Sequence, residues 1–161
     1  TLRSDGLAED GAAANNILHR DGPPTRYASL VYLLLSPESN RIRVLNAGHM
    51  PPLLVRNGSI SAMERGSMVL GIMHDAPFVE QAVDLAAGET LIVYSDGVTE
   101  AQNEQGDFFG DDRLFGSIQA GSGIAPADTG SNILAAVKDF IRDAVPSDDL
   151  SLVVLTRKSS A

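Results

Sequence analysis

The 161 residues contain no cysteine and no tryptophan. Without cysteine there is no disulfide, no thiolate metal ligand and no cysteine nucleophile; a reducing compartment fits, and a cytoplasmic location is expected. Aromatic residues amount to 5% of the chain, too few for the stacking platform on which single-stranded nucleic acid is read. Positive charge is scarce as well. Twelve Lys and Arg against 21 Asp and Glu leave a formal charge of −9, which repels nucleic acid and anionic lipid alike, so neither is an expected partner. The longest apolar run, Leu30–Leu35, falls far short of the roughly 20 residues of a membrane-spanning helix. Direct membrane insertion is therefore not expected. The N-terminus, Thr1-Leu2-Arg3-Ser4-Asp5, has no initiator Met and lacks the charged-then-apolar layout of a signal peptide. No GxGxxG, GxxxxGK[ST] or GxSxG pattern occurs, which removes sequence support for dinucleotide, P-loop and serine-hydrolase readings.

What is present reads as a packed domain. Hydrophobic residues make up 43% and charged residues 20%, ordinary globular usage in a length that suits a single domain. The Ala-rich stretch Ala8–His19, with Leu7, Ile17 and Leu18 as its large apolar residues, predicts a weakly anchored helix. Asp21-Gly22-Pro23-Pro24 breaks it. Strands follow: Tyr27–Leu35, apolar enough to suggest burial on both faces, turns through Ser36-Pro37-Glu38-Ser39-Asn40 into Arg41–Leu45 as a hairpin. A second hairpin is predicted across Asn57-Gly58, joining Leu53–Arg56 to Ser59–Met63. Phe78–Leu85 reads as a further strand, and Thr90–Ser95 as a central one ending abruptly at Asp96-Gly97. Asp111-Asp112-Arg113-Leu114 opens a helix with acids at its positive end. After the Gly121-Ser122-Gly123 linker, apolar spacing predicts a helix docked by one face over Asp128–Val145, ended by Pro146 and Ser147, before a buried strand Leu150–Leu155. Strands clustered centrally with helices at the flanks argue for an α+β layered domain of mostly antiparallel sheets.

Two places carry chemistry in their spacing. Asp96 stands at the mouth of an apolar strand, with Glu100 four residues on, and Asp148-Asp149 mirror it just before the last strand. An isolated Asp-Gly is commonly a turn and nothing more. Two strands ending in carboxylates can nevertheless converge on one sheet edge, where the like charges repel unless bridged by a hard cation such as Mg²⁺ or Mn²⁺. His49, in Asn46-Ala47-Gly48-His49, fits either a hydrogen-bonding turn residue or a functional one. His19 and His74 show no partner pattern.

The ordered set is more specific than its parts. Asn46-Ala47-Gly48-His49-Met50-Pro51-Pro52-Leu53-Leu54, Leu70-Gly71-Ile72, Gly88 through Ala101 with Ser95-Asp96-Gly97-Val98-Thr99-Glu100, Phe108-Phe109-Gly110 and Asp148-Asp149-Leu150-Ser151 together resemble the bacterial SpoIIE/RsbU branch of the PPM (protein phosphatase 2C-type) metal-dependent serine/threonine phosphatases. The likeness runs from Tyr27 to Leu155. It implies an αββα sandwich of two antiparallel sheets and two Mn²⁺ or Mg²⁺ ions in the complete domain. It also implies water attack on a phosphoserine or phosphothreonine without a phosphoenzyme. Asp96 and Asp148 match the family's metal ligands, with Asp149 the alternative if the register slips by one; Gly97, Glu100 and His49 fall at motif positions with supporting roles. The implied substrate is a phosphorylated STAS-type regulatory protein, an anti-sigma-factor antagonist, in a signalling protein that accommodates an upstream sensor domain and a dimer.

One departure stands out. The branch opens with a strand pair bearing a Gly-Asp-aromatic-aromatic-Asp ligand motif, then a strand ending in a Gly-His-Gly-like segment and a helix; no such opening precedes Leu2-Arg3 here. The expectation is a single phosphatase domain over residues 1–161, N-terminally incomplete, with a bridging Asp and a carbonyl ligand lying elsewhere and sheet edges prone to association. Two alternatives stay open: a catalytically inactive relative that binds a regulatory partner, and a generic acidic α+β binding domain.

Overall fold

The Ala-rich stretch forms the first helix, α1 (Leu7–Asp21). The structure, a computed structural model, describes residues 6–23, 25–36, 38–121, 126–146 and 148–158. The expectations placed on Thr1–Asp5, Pro24, Pro37, Ser122, Gly123 and Ser147 lie outside the described residues. After α1 come β1 (Leu30–Leu35), β2 (Arg41–Ala47), β3 (Leu53–Arg56), β4 (Ser59–Ala62), β5 (Glu80–Asp84) and β6 (Thr90–Tyr94). Helices α2 (Asp96–Thr99), α3 (Gly110–Ala120) and α4 (Pro126–Ile141) precede the final strand, β7 (Leu152–Thr156). The chain divides into two units: Thr1–Pro51 with Glu64–Leu85, and Pro52–Met63 with Ala86–Ala161.

In the first unit the antiparallel sheet has the order β1-β2-β5, and α1 packs on β2. The helix is anchored differently from the reading of its large residues. Leu7 is buried, but Ile17 is 51% exposed. Contact comes instead from closeness: a Cβ at Gly11 would press on the side chains of Leu45 and Phe78, so the absent side chain lets helix and sheet approach. Asn15 is fully buried and satisfied, its Nδ2 donating to the Met73 carbonyl at 2.9 Å and its Oδ1 accepting the Gly71 N–H at 2.9 Å. Leu7, Leu45, Ala47, Leu70, Ala76 and Phe78 form the core of this unit.

The hairpin of β1 and β2 forms as expected, Leu35 facing Ile42 beside the turn. Burial of β1 on both faces does not: the strand begins at Leu30, and Leu35 is 52% exposed. The reason is its place at the sheet edge, where one flank has no neighbouring strand among the described residues.

Glu80 ties three elements together. Its carboxylate accepts two hydrogen bonds from the Arg43 guanidinium on β2, at 2.5 and 2.6 Å, and one from the Leu7 N–H at the start of α1, at 3.0 Å. That last bond satisfies a helix N–H that has no partner within the helix. The Arg43 hydrogen bonds hold the Glu80 carboxyl below its ordinary range, against the opposing effect of burial. A carboxyl with a lowered folded-state pKa contributes stability that is complete above the unfolded value, about pH 4.3, and disappears as the pH falls through the folded value. Glu80→Gln is expected to cost about 1–2 kcal/mol at pH 7 for this partly exposed pair and to flatten the acid limb of the stability profile below about pH 5. Urea unfolding of both proteins from pH 7 to pH 3 measures it, and parallel profiles would contradict it.

The second unit carries the sheet β4-β3-β6-β7. Its hairpin turns on Asn57 (φ 50°) and Gly58 (φ 77°), both left-handed as a type I′ turn requires. β6 is central and buried from Leu91 to Tyr94. β7 is not the buried strand expected. It is the edge strand of this sheet, half-buried, with Val153 49% exposed. Helix α4 packs on α3 and β7 through Ile133 and Val137, both buried. It ends at Ile141 rather than Val145, because Arg142 adopts a left-handed φ of 54° that breaks the helical path. Val145 is 87% exposed. Phe109 is buried and meets Phe140 edge-on at 5.5 Å, while the Arg113 guanidinium lies 4.6 Å over the Phe140 ring. No helix among the described residues is long and apolar enough to cross a membrane.

Candidate metal centre

Strand pairing creates the site. β6 and β7 run antiparallel with Tyr94 opposite Leu152, so the residues just after β6 and just before β7 share one edge of the sheet. Ser95 fastens the two ends. Its N–H donates to the Ser151 carbonyl at 3.0 Å, while its Oγ donates to the Asp149 carbonyl at 3.2 Å and accepts the Ser151 N–H at 3.0 Å. The role of Ser95 was not read from the sequence, since a serine at a strand end has many uses.

Asp96 then starts the single helical turn α2. Its Oδ1 accepts the Gly97 N–H at 3.0 Å and its carbonyl accepts the Glu100 N–H at 2.7 Å. Gly97 is required by closeness: a Cβ there would collide with the Asp149 carbonyl oxygen. Asp148 repeats the arrangement of Asp96, its Oδ1 accepting the Asp149 N–H at 2.7 Å. Asp96, Asp148 and Asp149 are all exposed on this edge, and Glu100, exposed too, closes the helical turn. Only one of the two carboxylate-bearing strands, β6, is central. Tyr94, the last residue of β6, is buried, and that burial together with the Asp111 charge pushes its phenol above the ordinary value; it stays neutral.

His49 belongs to the first unit. There Asn46, 1% exposed, folds the loop by accepting the His49 N–H on Oδ1 at 2.9 Å and donating from Nδ2 to the His49 carbonyl at 3.1 Å. Gly48, with φ 69°, donates its N–H to the Ser67 carbonyl at 2.8 Å and lies against Val69, leaving no space for a Cβ. The half-buried His49 ring sits with Nδ1 3.1 Å from the Ser29 Oγ. The buried bracing by Asn46 is a further role the sequence reading did not supply.

The donor type on the β6–β7 edge suits a hard divalent cation, which prefers anionic oxygen. The donor number is smaller than such a centre needs: among the described residues no group of three or more His, Cys, Asp or Glu side chains is placed to hold a metal ion.

The family model described as Stage II sporulation protein E (SpoIIE) matches residues 3–158. The chain belongs to the SpoIIE family. SpoIIE membership places it among PPM-type phosphatase domains of the SpoIIE/RsbU branch. Among curated relatives, Protein IcfG of Synechocystis sp. is 25% identical over 141 residues, 84% of this chain and 22% of that protein. Phosphoserine phosphatase RsbU of Bacillus subtilis is 24% identical over 146 residues, 89% of this chain and 43% of that protein. The chain therefore spans less than half the length of either. Of solved structures, the RsbU and RsbW domains of Rv1364c from Mycobacterium tuberculosis align with a TM-score of 0.75 at 18% identity, over 97% of this chain and 43% of that one. The manganese-presoaked phosphatase domain of SpoIIE from Bacillus subtilis aligns at 0.70 and 17%, over 97% and 67%. The common fold is α+β, two antiparallel sheets with flanking helices.

Proposed function

We propose that this SpoIIE-family chain is the C-terminal part of a metal-dependent protein phosphatase domain. The complete domain hydrolyses a phosphoserine or phosphothreonine on a regulatory protein, through a water activated by Mn²⁺ or Mg²⁺. The observation that carries the reading is the shared edge of β6 and β7, which gathers Asp96 and Asp148. Bound there, two such ions would lower the pKa of a water and neutralise phosphoryl charge. Asp96 and Asp148 contribute the anionic oxygens from this chain. Ser95 ties the two strand ends together and Gly97 gives the Asp149 carbonyl room to approach, while Asp149 and Glu100 keep the edge negative. Two carboxylates are fewer donors than such a centre needs, so the proposal requires further ligands from outside the described residues. The names of RsbU and of the RsbU–RsbW neighbour support a regulatory-protein substrate; its identity as a STAS-type anti-sigma-factor antagonist and a cytoplasmic setting are part of the same proposal. The manganese-soaked neighbour supports the choice of ion. An upstream sensor domain and a dimer belong to the same proposal.

The test is metal dependence in the full-length protein. Hydrolysis of para-nitrophenyl phosphate and of a phosphoserine peptide is expected only with added Mn²⁺ or Mg²⁺, and chelation is expected to remove it by about 100-fold or more. Undiminished turnover in chelator would refute the metal assignment. The two-carboxylate donor set also favours a second reading, a catalytically inactive relative that binds a partner; folded full-length protein with no turnover in any divalent ion would select it.

A further inference from the structure

Two of the chain's three histidines meet in the first unit, where α1 adjoins the loop after Leu70. The rings of His19 and His74 lie 5.7 Å apart between centres, inclined at 60°. Each is oriented by an oxygen. His19 Nδ1 stands 3.0 Å from the Gly71 carbonyl, and His74 Nδ1 stands 3.0 Å from Asp75 Oδ2. A carbonyl can only accept, so His19 Nδ1 carries a proton and its Nε2 holds the lone pair when the ring is neutral, and the Asp75 carboxylate beside His74 Nδ1 favours the same tautomer there. This is the arrangement by which proteins orient imidazoles that ligate through Nε2.

Distance agrees with orientation. With nitrogen about 2.1 Å from the ion and the ring centre about 1.2 Å behind it, two imidazoles on one tetrahedral ion have centres about 5.4 Å apart. The loop is pre-set on both sides of His74. Asn15 grips Gly71 and Met73, while Asn16 donates to Asp75 Oδ1 at 2.9 Å and accepts the Asp75 N–H at 3.0 Å. Asp75, at φ 53°, is thus committed to orienting His74. Both rings are exposed, which leaves an ion a path in. The neighbouring Arg20 guanidinium is engaged by Asp21 through bonds of 2.7 and 2.8 Å, which offsets its repulsion of a cation.

We propose that His19 and His74 form a two-imidazole site for a borderline transition-metal ion, represented by Zn²⁺, which water completes and which ties α1 to the 71–75 loop. Imidazole nitrogen suits Zn²⁺, Ni²⁺ and Cu²⁺, whereas the all-oxygen edge at Asp96 suits Mg²⁺ and Mn²⁺, so the two sites differ in ion class. The experiment is calorimetric titration of the full-length protein with Zn²⁺ alone, beside His19→Gln, His74→Gln and Asp75→Asn. NMR of the histidine ring signals runs in parallel, and thermal melts without metal confirm folding. Each histidine variant is expected to weaken binding at one site per chain at least tenfold. Asp75→Asn should weaken it by about 10-fold to 100-fold through lost orientation, and the His19 and His74 ring signals should shift or broaden with Zn²⁺. Zn²⁺ binding insensitive to both histidine variants, or ring signals unmoved in the parent protein, would overturn the proposal.

Discussion

Asp96→Asn in the full-length protein is expected to lower manganese-dependent turnover by about 100-fold or more while changing folding stability by less than about 0.5 kcal/mol. The separation of the two effects follows from what the carboxylate touches. Asp96 is exposed, and its one described side-chain bond, Oδ1 accepting the Gly97 N–H at 3.0 Å, is one an asparagine amide oxygen makes equally well. What disappears is a negative charge, and hard divalent ions depend on anionic oxygen for affinity. In metal-free protein the change relieves repulsion on an edge that also carries Asp148 and Asp149, so stability is expected to hold or rise slightly. Asp148→Asn should behave the same way, since among the described residues its oxygen accepts only the neighbouring Asp149 N–H. Asp149→Asn serves as the register control and should lose far less turnover. Rates over a Mn²⁺ titration, with urea unfolding of each variant, separate the cases. Unaltered turnover in Asp96→Asn would sink the ligand role, and a stability loss of several kcal/mol would make the residue structural instead.

Asn46→Leu is expected to destabilise the protein by about 2–5 kcal/mol, the largest stability effect anticipated here. Its side chain is of similar size to leucine but is 1% exposed, and it satisfies both the N–H and the carbonyl of His49. Leucine leaves both groups without those partners in a half-buried loop, each at about 1–3 kcal/mol. The surroundings allow little relaxation. The Asn46 carbonyl accepts the Ser67 N–H at 2.8 Å, and Gly66 lies so close that a Cβ would overlap that carbonyl. Gly66→Ala should therefore be costly too. Because the two residues touch, the double variant should cost less than the sum of the singles. Chemical denaturation of the three proteins measures this. A loss under about 1 kcal/mol for Asn46→Leu would mean the loop repacks and that Asn46 does not brace His49.

Much of the fold was legible locally. Asn57-Gly58 announced its hairpin because only a few residues accept two successive left-handed positions at low cost. The apolar run from Thr90 announced β6, and the polar-apolar alternation from Arg41 announced β2. The misreadings share a cause. Leu30–Leu35 and Leu150–Leu155 are apolar enough to be interior strands, yet β1 and β7 lie at sheet edges. Apolarity reports a preference for burial, and the number of neighbours available to satisfy it depends on distant segments. Ile17 looked like an anchor of α1 and is exposed, whereas Gly11 and Asn15, which look like weak points of a helix, make its closest contacts. The overlong reading of α4 has a local cause of another kind, since one left-handed residue, Arg142, ends a helix whose apolar spacing continues beyond it.

The candidate site divides along the same line. Residue order alone determined which groups are available for chemistry: two carboxylates at strand ends, no thiolates, a net negative charge, and motifs in an order that resembles one phosphatase family. Tertiary structure decided that β7 pairs with β6 rather than with another strand, which is what sets Asp96 beside Asp148-Asp149, clasped by Ser95 and closed over Gly97. It also decided that His19 and His74, from a helix and a distant loop, face each other. The physical reason is that side-chain pattern is a property of one segment. Strand neighbours and helix-to-loop contacts are settled by the summed burial and hydrogen bonding of the whole chain, which no single segment contains.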